Sequence, residues 1–169
     1  RPAPPTAPGQ MDDLLRSLLR STPAASLTEL NLDAQLKTPK IPPSAQPLLA
    51  SLTSLTTLSL NSIGLTTLAG LPALPHLTDL ELSDNALTDA ALAILTPAAF
   101  PSLTTLKLGG NAIASTAALE GLAGFARLAA LDLYENPVTK EEGYRGTVFG
   151  MVGSLVVLDG ADREGNDVE

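Results

Sequence analysis

The chain has no cysteine, no tryptophan, only 3% aromatic residues and a single histidine, His76. Without cysteine there are no disulfides, no cysteine-bound zinc or iron–sulfur centres and no thiol catalysis. A histidine metal site or a Ser-His-Asp triad would depend on His76 alone, which reads as a surface loop residue. No apolar run approaches the roughly 20 residues of a membrane span. The opening RPAPPTAPGQ lacks the apolar core of a signal peptide, so we expect none there.

Acidic residues outnumber basic ones, 18 to 10, which gives a formal net charge of -8. Such a chain repels nucleic acid phosphates and anionic lipid surfaces unless its charges are segregated. It attracts basic partners. We therefore expect protein partners, predominantly basic, and neither direct nucleic acid binding nor membrane binding.

Leucine accounts for 34 of the 169 residues, and a core built from one side chain is typical of a repeat. The pattern L-x-x-L-x-L-x-x-N-x-L is the leucine-rich repeat signature. Complete copies begin at Leu77, Leu103 and Leu128, and degenerate copies begin at Leu27 and Leu55. Successive copies start 22 to 28 residues apart, within or close to the period of about 20–29 residues of this repeat.

The repeat has a direct physical interpretation. Alternate residues of a strand share one face, so both leucines of each L-x-L pair point into the core. The asparagine, replaced by Ile63 in the second copy, pairs backbone groups where the chain leaves the strand. The pattern predicts an α/β leucine-rich repeat solenoid. Its curved parallel sheet forms the concave side, helices and loops form the convex side, and helical caps close both ends.

Four segments follow from this interpretation. They are a Pro-rich arm (1–10), an N-terminal helical cap (11–26), five leucine-rich repeats (27–138), and a C-terminal cap with the start of an acidic segment (139–169). The arm is either a linker or a partner-docking element.

Local signals predict the helices. Met11 begins an apolar face with helical spacing, and Pro23 ends that helix. Asp89 is expected to cap a convex helix, and Ser115 or Thr116 another. Thr139 and Glu142 have the spacing of a capping box, which predicts a helix to about Val152. The Pro-rich residues 37–51 read as a loop.

Exposed strand positions form the candidate binding face. The candidate partner-binding residues on this face are Glu29, Asp33, Asp79, Glu81, Asp84, Lys107, Asp132, Tyr134 and Glu135. Parallel strands lie about 4.8 Å apart, so we expect Lys107 to bridge Glu81 and Asp132. The face is either simply solvated or an acidic surface that docks a basic protein segment.

The two tyrosines and the exposed carboxylates of the candidate face have different expected roles. Tyr134 is either a contact hot spot or a shield for the edge of the last repeats, whereas Tyr144 is expected in the core of the cap. The carboxylates of Asp79, Glu81 and Asp84 are exposed, so burial does not raise their pKa for acid catalysis, and they lack calcium-loop spacing. We expect no metal, no cofactor and no enzymatic activity.

The caps and repeats together resemble the leucine-rich domain of the acidic leucine-rich nuclear phosphoprotein family. The resemblance rests on residues 18–33, 58–89 (which contain LELSDN), 103–122 and 131–169. In the last stretch, Y-R-x-x-V-F followed by L-x-x-L-D-G-x-D-R matches the family's C-terminal cap. That family carries a long acidic tail after the repeats, and residues 159–169 hold five acidic groups and one arginine, as at the start of such a tail.

The resemblance implies a non-catalytic module that binds histones or other basic chromatin proteins and inhibits a protein phosphatase, in the nucleus and cytoplasm. Residues 37–51 are Pro-rich, where the family is expected to have a more charged segment, and YENP at 134–137 differs from the family's usual turn. These departures affect the expected partners more than the expected fold. Spliceosomal and ciliary leucine-rich proteins carry related caps. The alternative is therefore an adaptor in a large ciliary, axonemal or spliceosomal assembly.

Overall fold

The structure, a computed structural model, describes residues 9–168. Six short strands form one parallel sheet in chain order. They are β1 (Glu29–Asn31), β2 (Thr57–Ser59), β3 (Asp79–Glu81), β4 (Thr105–Lys107), β5 (Ala130–Asp132) and β6 (Val157–Leu158). Each repeat supplies one strand and the cap supplies the last, as the predicted solenoid requires. The predicted arm lies largely outside the described residues, and Gln10 already belongs to the first helix.

Leucines fill the core in registered rows. The central leucine of each strand pairs with its counterpart in the next strand, and the row is Leu30, Leu58, Leu80, Leu106, Leu131 and Leu158. A second row two residues later is Leu32, Leu60, Leu82, Leu108 and Leu133. Both rows are buried, because residues i and i+2 of a strand face the same side. This burial of apolar area supplies the main stabilising free energy.

Asparagines pair the backbone at the turns that follow β3, β4 and β5. The amide nitrogen of Asn111 donates to the carbonyl oxygens of Leu82 (3.0 Å) and Leu108 (2.8 Å). Its amide oxygen accepts the Leu87 backbone N–H at 3.0 Å. Asn85 and Asn136 do the same in their own repeats. Each asparagine thus pairs backbone groups where the chain leaves the strand, as predicted, and it also links two repeats.

In the described part of the chain, three α-helices accompany the sheet: α1 (Gln10–Ser21), α2 (Gln46–Ala50) and α3 (Tyr144–Met151). The first was predicted, and Met11 and Leu15 on its apolar face are buried. The prediction of a loop over 37–51 was wrong where α2 forms. Pro47 lies in the first turn of α2, where a missing N–H breaks no intrahelical bond. Among the described residues, no helix is long and apolar enough to cross a membrane.

The convex side carries 3-10 helices over Asp89–Ile94, Thr116–Gly124 and Pro137–Lys140. The predicted caps were wrong, since Asp89 and Thr116 are the first residues of their helices, and Ser115, at an N-cap position, makes no capping hydrogen bond through its side chain. Asp89 instead reaches the next repeat and accepts the Ala114 backbone N–H (2.7 Å) and the Ser115 hydroxyl (2.8 Å). Stacking places these groups within reach, so bonds between repeats replace local caps.

The predicted capping box was also wrong. The Thr139 hydroxyl donates to the carbonyl oxygen of Asn136 at 2.8 Å, inside the 3-10 helix. The helix α3 begins only after Gly143, whose φ of 72° is left-handed. Glycine tolerates that conformation because it has no Cβ, so the chain turns sharply before α3 starts.

The C-terminal cap is closed by its polar and aromatic residues. The buried Tyr144 hydroxyl donates to Asp159 at 2.9 Å, and Asp159 also accepts the Leu133 backbone N–H at 2.7 Å. Burial, reinforced by the charge of Asp159, raises the pKa of Tyr144 above its ordinary range. The guanidinium carbons of Arg145 and Arg163 lie 5.5 and 5.2 Å from the ring centre of Phe149, within cation–π distance. The motif that carries the family resemblance therefore builds this cap.

Replacing Asn111 with alanine is expected to lower the free energy of unfolding by about 2–4 kcal/mol, because buried backbone groups of two repeats lose their partners. Chemical denaturation followed by circular dichroism measures the change. The control is Asn31→Ala, at the exposed edge of the sheet, which should cost less than about 1 kcal/mol. Equal losses for the two variants would contradict the role of the asparagine.

Candidate functional site

The outward side of the sheet is the candidate site, and we call it the concave face. Its side chains stand on either side of the buried central leucine of each strand. The row before the leucine is Glu29, Thr57, Asp79, Thr105, Ala130 and Val157, and the row after it is Asn31, Ser59, Glu81, Lys107 and Asp132. The strand register thus brings Glu29, Asp79, Glu81, Lys107 and Asp132 onto one surface. Glu29, on the edge strand β1, also lines a 450 Å³ groove beside α1.

A third row continues past the strands. Backbone bonds join Ala34 to Asn61, Ser62 to Ser83, Asp84 to Gly109, and Gly110 to Tyr134, each N–H donating to the oxygen of the next repeat at 2.8–3.0 Å. Because of these bonds, neighbouring repeats stay at the spacing of the sheet for about two residues beyond the end of each strand. The predicted residues Asp33 and Tyr134 therefore lie beside the strands, in line with Asn61, Ser83 and Gly109.

Asp84 and Glu135 lie on the rim of the face rather than on the sheet. Their φ angles are 55° and 59°, and the equivalent residues of other repeats are also left-handed. The left-handed residue turns the chain away from the sheet toward the convex side. Both carboxylates are exposed, so they border the concave face without belonging to a strand.

Hydrogen bonds link the polar side chains across the first four strands. Asp33 accepts the hydroxyl of Ser59 (2.6 Å) and the backbone N–H of Asn61 (2.7 Å). The Asn61 amide donates to Glu81 at 3.1 Å, and the ammonium of Lys107 donates to Glu81 at 2.7 Å. We call this set, with Asn31, the polar network. It satisfies most of the acceptor capacity of Asp33 and Glu81 from within the chain.

The polar network lowers the pKa of one of its carboxyl groups, that of Glu81. The hydrogen bond from Lys107 is the main reason that the pKa of Glu81 lies below its ordinary value of 4.5. The donors Asn61 and Ser59 lower the pKa further, while partial burial opposes them. Glu81 therefore remains ionised at pH 7 and faces an ammonium of its own chain.

The expected bridge from Lys107 to both neighbours is only half formed. Among the described residues, Lys107 makes an ion pair with Glu81 and none with Asp132. One carboxylate oxygen of Asp132 instead accepts the Tyr134 backbone N–H at 2.9 Å, a local turn that aspartate favours. This turn holds Asp132 away from the lysine and leaves its charge without a cation.

Two glycines open a gap at the fourth repeat, Gly109 in the third row and Gly110 on the rim. A Cβ placed on Gly109 would lie 3.1 Å from a carboxylate oxygen of Asp132, and one placed on Gly110 would overlap the carboxylate of Asp84. The missing side chains give both carboxylates room to extend over the backbone of the fourth repeat. The gap is bordered by Tyr134, whose side chain is 65% exposed. We call Asp79, Asp84, Asp132, Tyr134 and Glu135 the C-terminal acidic face.

Sequence reasoning missed Val156, which is 59% exposed. Its backbone N–H donates to Ala129, just as Thr56, Thr78 and Thr104 donate to the preceding repeat. Three of those threonine hydroxyls donate to the preceding carbonyl as well. Aligning the cap as a sixth repeat would have placed Val156 at the threonine position.

Residues 9–168 contain no group of three or more acidic or histidine side chains arranged to hold a metal ion. His76 is exposed beside β3. The site offers carboxylates, an aromatic ring and a concave sheet, which suit the binding of a polypeptide.

A sequence model of the leucine-rich repeat family matches residues 12–163. The chain belongs to the leucine-rich repeat family. The match runs from the first turn of α1 to the arginine that packs on Phe149, so it covers both caps and every repeat.

Over about half its length, this leucine-rich repeat chain is related to the acidic leucine-rich nuclear phosphoproteins. It is 44% identical over 92 residues to acidic leucine-rich nuclear phosphoprotein 32-related protein 1 of Oryza sativa subsp. japonica, a match over 54% of this chain and 19% of that protein. It is 41% identical over 94 residues to family member A of Drosophila melanogaster, over 56% of this chain and 35% of that protein. The matches thus span between a fifth and about a third of these relatives.

Solved leucine-rich repeat structures share the fold. A chain in the SNF/U2A' complex of Drosophila melanogaster is similar with 29% identity and a TM-score of 0.67, over 83% of this chain and 74% of that one. The leucine-rich repeat domain of Mex67 from Chaetomium thermophilum is 21% identical with a TM-score of 0.52, over 89% and 92%. The second similarity concerns the fold alone.

The Lys107–Glu81 pair predicts a pH-dependent stability. Because the pKa of Glu81 is lowered in the folded state, its ionised form stabilises the fold above pH 4.5, and this contribution is lost as the pH falls below that value. Lys107→Met, which keeps the apolar stem, should lower the free energy of unfolding at pH 7 by about 0.5 kcal/mol, since the pair is partly exposed. The difference from the parent chain should shrink toward pH 3.

Denaturation midpoints between pH 3 and pH 8 check this expectation, with Lys140→Met on the exposed end of a 3-10 helix as the control. A difference that persists unchanged at low pH would mean that the ion pair between Lys107 and ionised Glu81 is not the source of the stabilisation.

Proposed function

We propose that the chain is a non-catalytic protein-binding module whose concave face docks a basic segment of a partner protein. The observation that carries this proposal is the C-terminal acidic face, where the four carboxylates of Asp79, Asp84, Asp132 and Glu135 share the surface with the exposed Tyr134. Solenoids of this kind use their extended concave surfaces for binding.

The two halves of the concave face differ in what they offer a partner. In the polar network, Asp33 and Glu81 already accept hydrogen bonds from their own chain. In the C-terminal acidic face, the unpaired oxygen of Asp132 and the carboxylates of Asp84 and Glu135 have no cation among residues 9–168. Lysine or arginine side chains of a partner would supply it. The proposed contact therefore centres on β4 and β5.

Binding would be stoichiometric. The net charge of -8 accelerates encounter with a basic partner, because complementary potentials steer association. The sheet fixes the spacing of the carboxylates, since its strands are rigidly stacked. Tyr134 supplies apolar contact area and a ring face to which a cation is attracted.

Histones and other basic chromatin proteins are the proposed partner class. The kinship to proteins named acidic leucine-rich nuclear phosphoproteins and the acidic concave face both support it. The same kinship supports a nuclear location, with a cytoplasmic pool, and inhibition of a protein phosphatase as a further role. The matches cover only 19% and 35% of those relatives. We therefore propose these roles only as far as the repeats themselves bind the partner.

A second candidate is an adaptor in a large assembly of the spliceosomal or ciliary type. The similarity to a chain of the SNF/U2A' complex, over most of this chain, favours it. In that case the concave face would hold one ordered partner of defined shape. Binding would then depend on apolar contacts more than on net charge.

Asp84→Asn with Asp132→Asn is expected to weaken binding of core histones about fivefold to tenfold at low salt, since two uncompensated charges are lost at the contact. The amides keep the shape and the turn at Tyr134. Fluorescence titrations from low salt to about 0.3 M, where the Debye length falls below 10 Å, should show the difference narrowing.

The matched control is Glu120→Gln with Glu164→Gln, which removes two exposed charges away from the concave face. Equal weakening by both pairs would mean that histones sense only net charge. Binding that neither pair affects would refute the site and favour the adaptor.

Tyr134→Ala is expected to weaken the same complex about tenfold or more, because an exposed aromatic side chain at the centre of a contact is typical of a hot spot. Ile94→Ala, at an exposed apolar position on the convex side, serves as the control. Isothermal titration calorimetry measures both, and unchanged affinity for Tyr134→Ala would assign this ring to shielding the last repeats.

A further inference from the structure

A groove at the N-terminal end of the solenoid lies outside the concave face. It has a volume of 610 Å³ and is lined by residues 9–11, where α1 begins, and by residues 36–40 and 42–44 of the following loop. None of these residues belongs to a strand. We call it the N-terminal groove, and its volume lies within the range of ligand sites, about 300–1,000 Å³.

The groove is preformed because its loop is held by the neighbouring repeat. The backbone N–H of Thr38 donates to Ile63 at 2.8 Å, and Thr66 donates to Pro39 at 2.9 Å. Ile41, in the middle of the loop, is 1% exposed and anchors it in the core. On the other wall, the Gln10 side chain donates to the Gln35 carbonyl at 3.3 Å. A partner would find the walls already in place.

The lining combines apolar walls with positive charge. Met11, Leu36 and the prolines of the loop form the walls, while Lys37 and Lys40 stand among them. Among residues 9–168, no aspartate or glutamate lines the groove, although acidic residues outnumber basic ones 18 to 10 in the chain. Asp12 and Asp13 belong to the first turn of α1 but lie outside the lining.

Two donors strengthen the preference for an anion. The ammonium of Lys37 is held by the carbonyl of Ser62, which fixes its position, and Lys40 is exposed with no ion pair among the described residues. The first backbone N–H groups of α1 also have no intrahelical acceptor, and no side chain among the described residues caps them. Lys37 and Lys40 are the main source of positive charge in the groove, and the N-terminus of α1 adds a partial positive charge.

We propose that the N-terminal groove docks a short acidic segment of a partner protein that carries one apolar side chain. The apolar walls would take that side chain, and Lys37 and Lys40 would pair with carboxylates on either side of it. This surface is opposite in sign to the C-terminal acidic face and lies at the other end of the repeat array. The chain would then hold a basic and an acidic partner segment at separate sites.

The test uses the full chain, labelled with ¹⁵N, and three synthetic peptides. The acidic probe is EDDLPDDE, its neutral counterpart is QNNLPNNQ, and the third is RPAPPTAP, the first eight residues of the chain itself. Titration to about 1 mM peptide covers weak docking, which corresponds to roughly 4 kcal/mol. Amide shifts map the site, and fluorescence anisotropy gives the affinity.

The expected result is saturable binding of the acidic peptide alone, with shifts confined to residues 9–13 and 36–44. Lys40→Glu should weaken it about tenfold, because like charges then face each other. Lys140→Glu, which changes an exposed lysine at the far end of the chain, should leave the affinity unchanged. Histone binding at the concave face should survive Lys40→Glu, so the two proposals fail independently.

Three outcomes would overturn the proposal. Equal binding of the neutral peptide would make the groove a non-selective apolar surface. Binding of RPAPPTAP there would assign the groove to the chain's own N-terminal segment. Shifts elsewhere, or none at the highest peptide concentration, would remove the site.

Discussion

Every repeat depends on its neighbours to bury its leucines and to pair its backbone. A strand of three residues has too little apolar area and too few hydrogen bonds to be stable alone. Stacking in register solves both problems, because the central leucine of each strand lies directly against the next one. Asn85, Asn111 and Asn136 then join the turns, so the array behaves as one cooperative unit rather than as separate loops.

The same register orders the surface. Because the repeats stack at a fixed spacing, equivalent residues form rows across the concave face, and the chemistry of a row follows the sequence of each repeat. Where Asp33, Ser59, Asn61 and Glu81 become neighbours, the chain satisfies its own polar groups. Where Gly109 interrupts the third row and Gly110 the rim beside it, carboxylates remain without a cation among the described residues. The division between a self-paired half and a half open to a basic partner arises from these few positions.

The ends of the array face different constraints. At the C-terminal end, Tyr144, Asp159 and the arginines around Phe149 cover the last leucines. At the N-terminal end, α1 covers the first strand, and the Pro-rich loop packs beside it through Ile41. A groove remains between the loop and the start of α1. The two proposed docking surfaces thus lie toward opposite ends of the same array of stacked repeats.

The sequence alone determined the repeat, its period, the strands and the buried leucines, because L-x-L on a strand has only one way to bury both side chains. It also placed the asparagines and the cap motif. Tertiary structure decided what depends on contacts between repeats. Asp89 and Thr139 have good capping spacing, yet Asp89 accepts its hydrogen bonds from the next repeat and Thr139 donates to Asn136 in its own turn. The helix α2 formed inside a segment whose prolines indicated a loop.

The concave face shows the same division. Strand alternation identified which residues point outward, but not how they pair. Lys107 had two equidistant carboxylates by register, and a local turn at Tyr134 removed Asp132 from its reach. Val156 became exposed because the cap adopts the repeat geometry without its sequence. Hydrogen bonds and ion pairs form only when their atoms come within less than about 4 Å of each other. Those distances depend on side-chain directions and on local turns, which only the folded arrangement of neighbouring repeats determines.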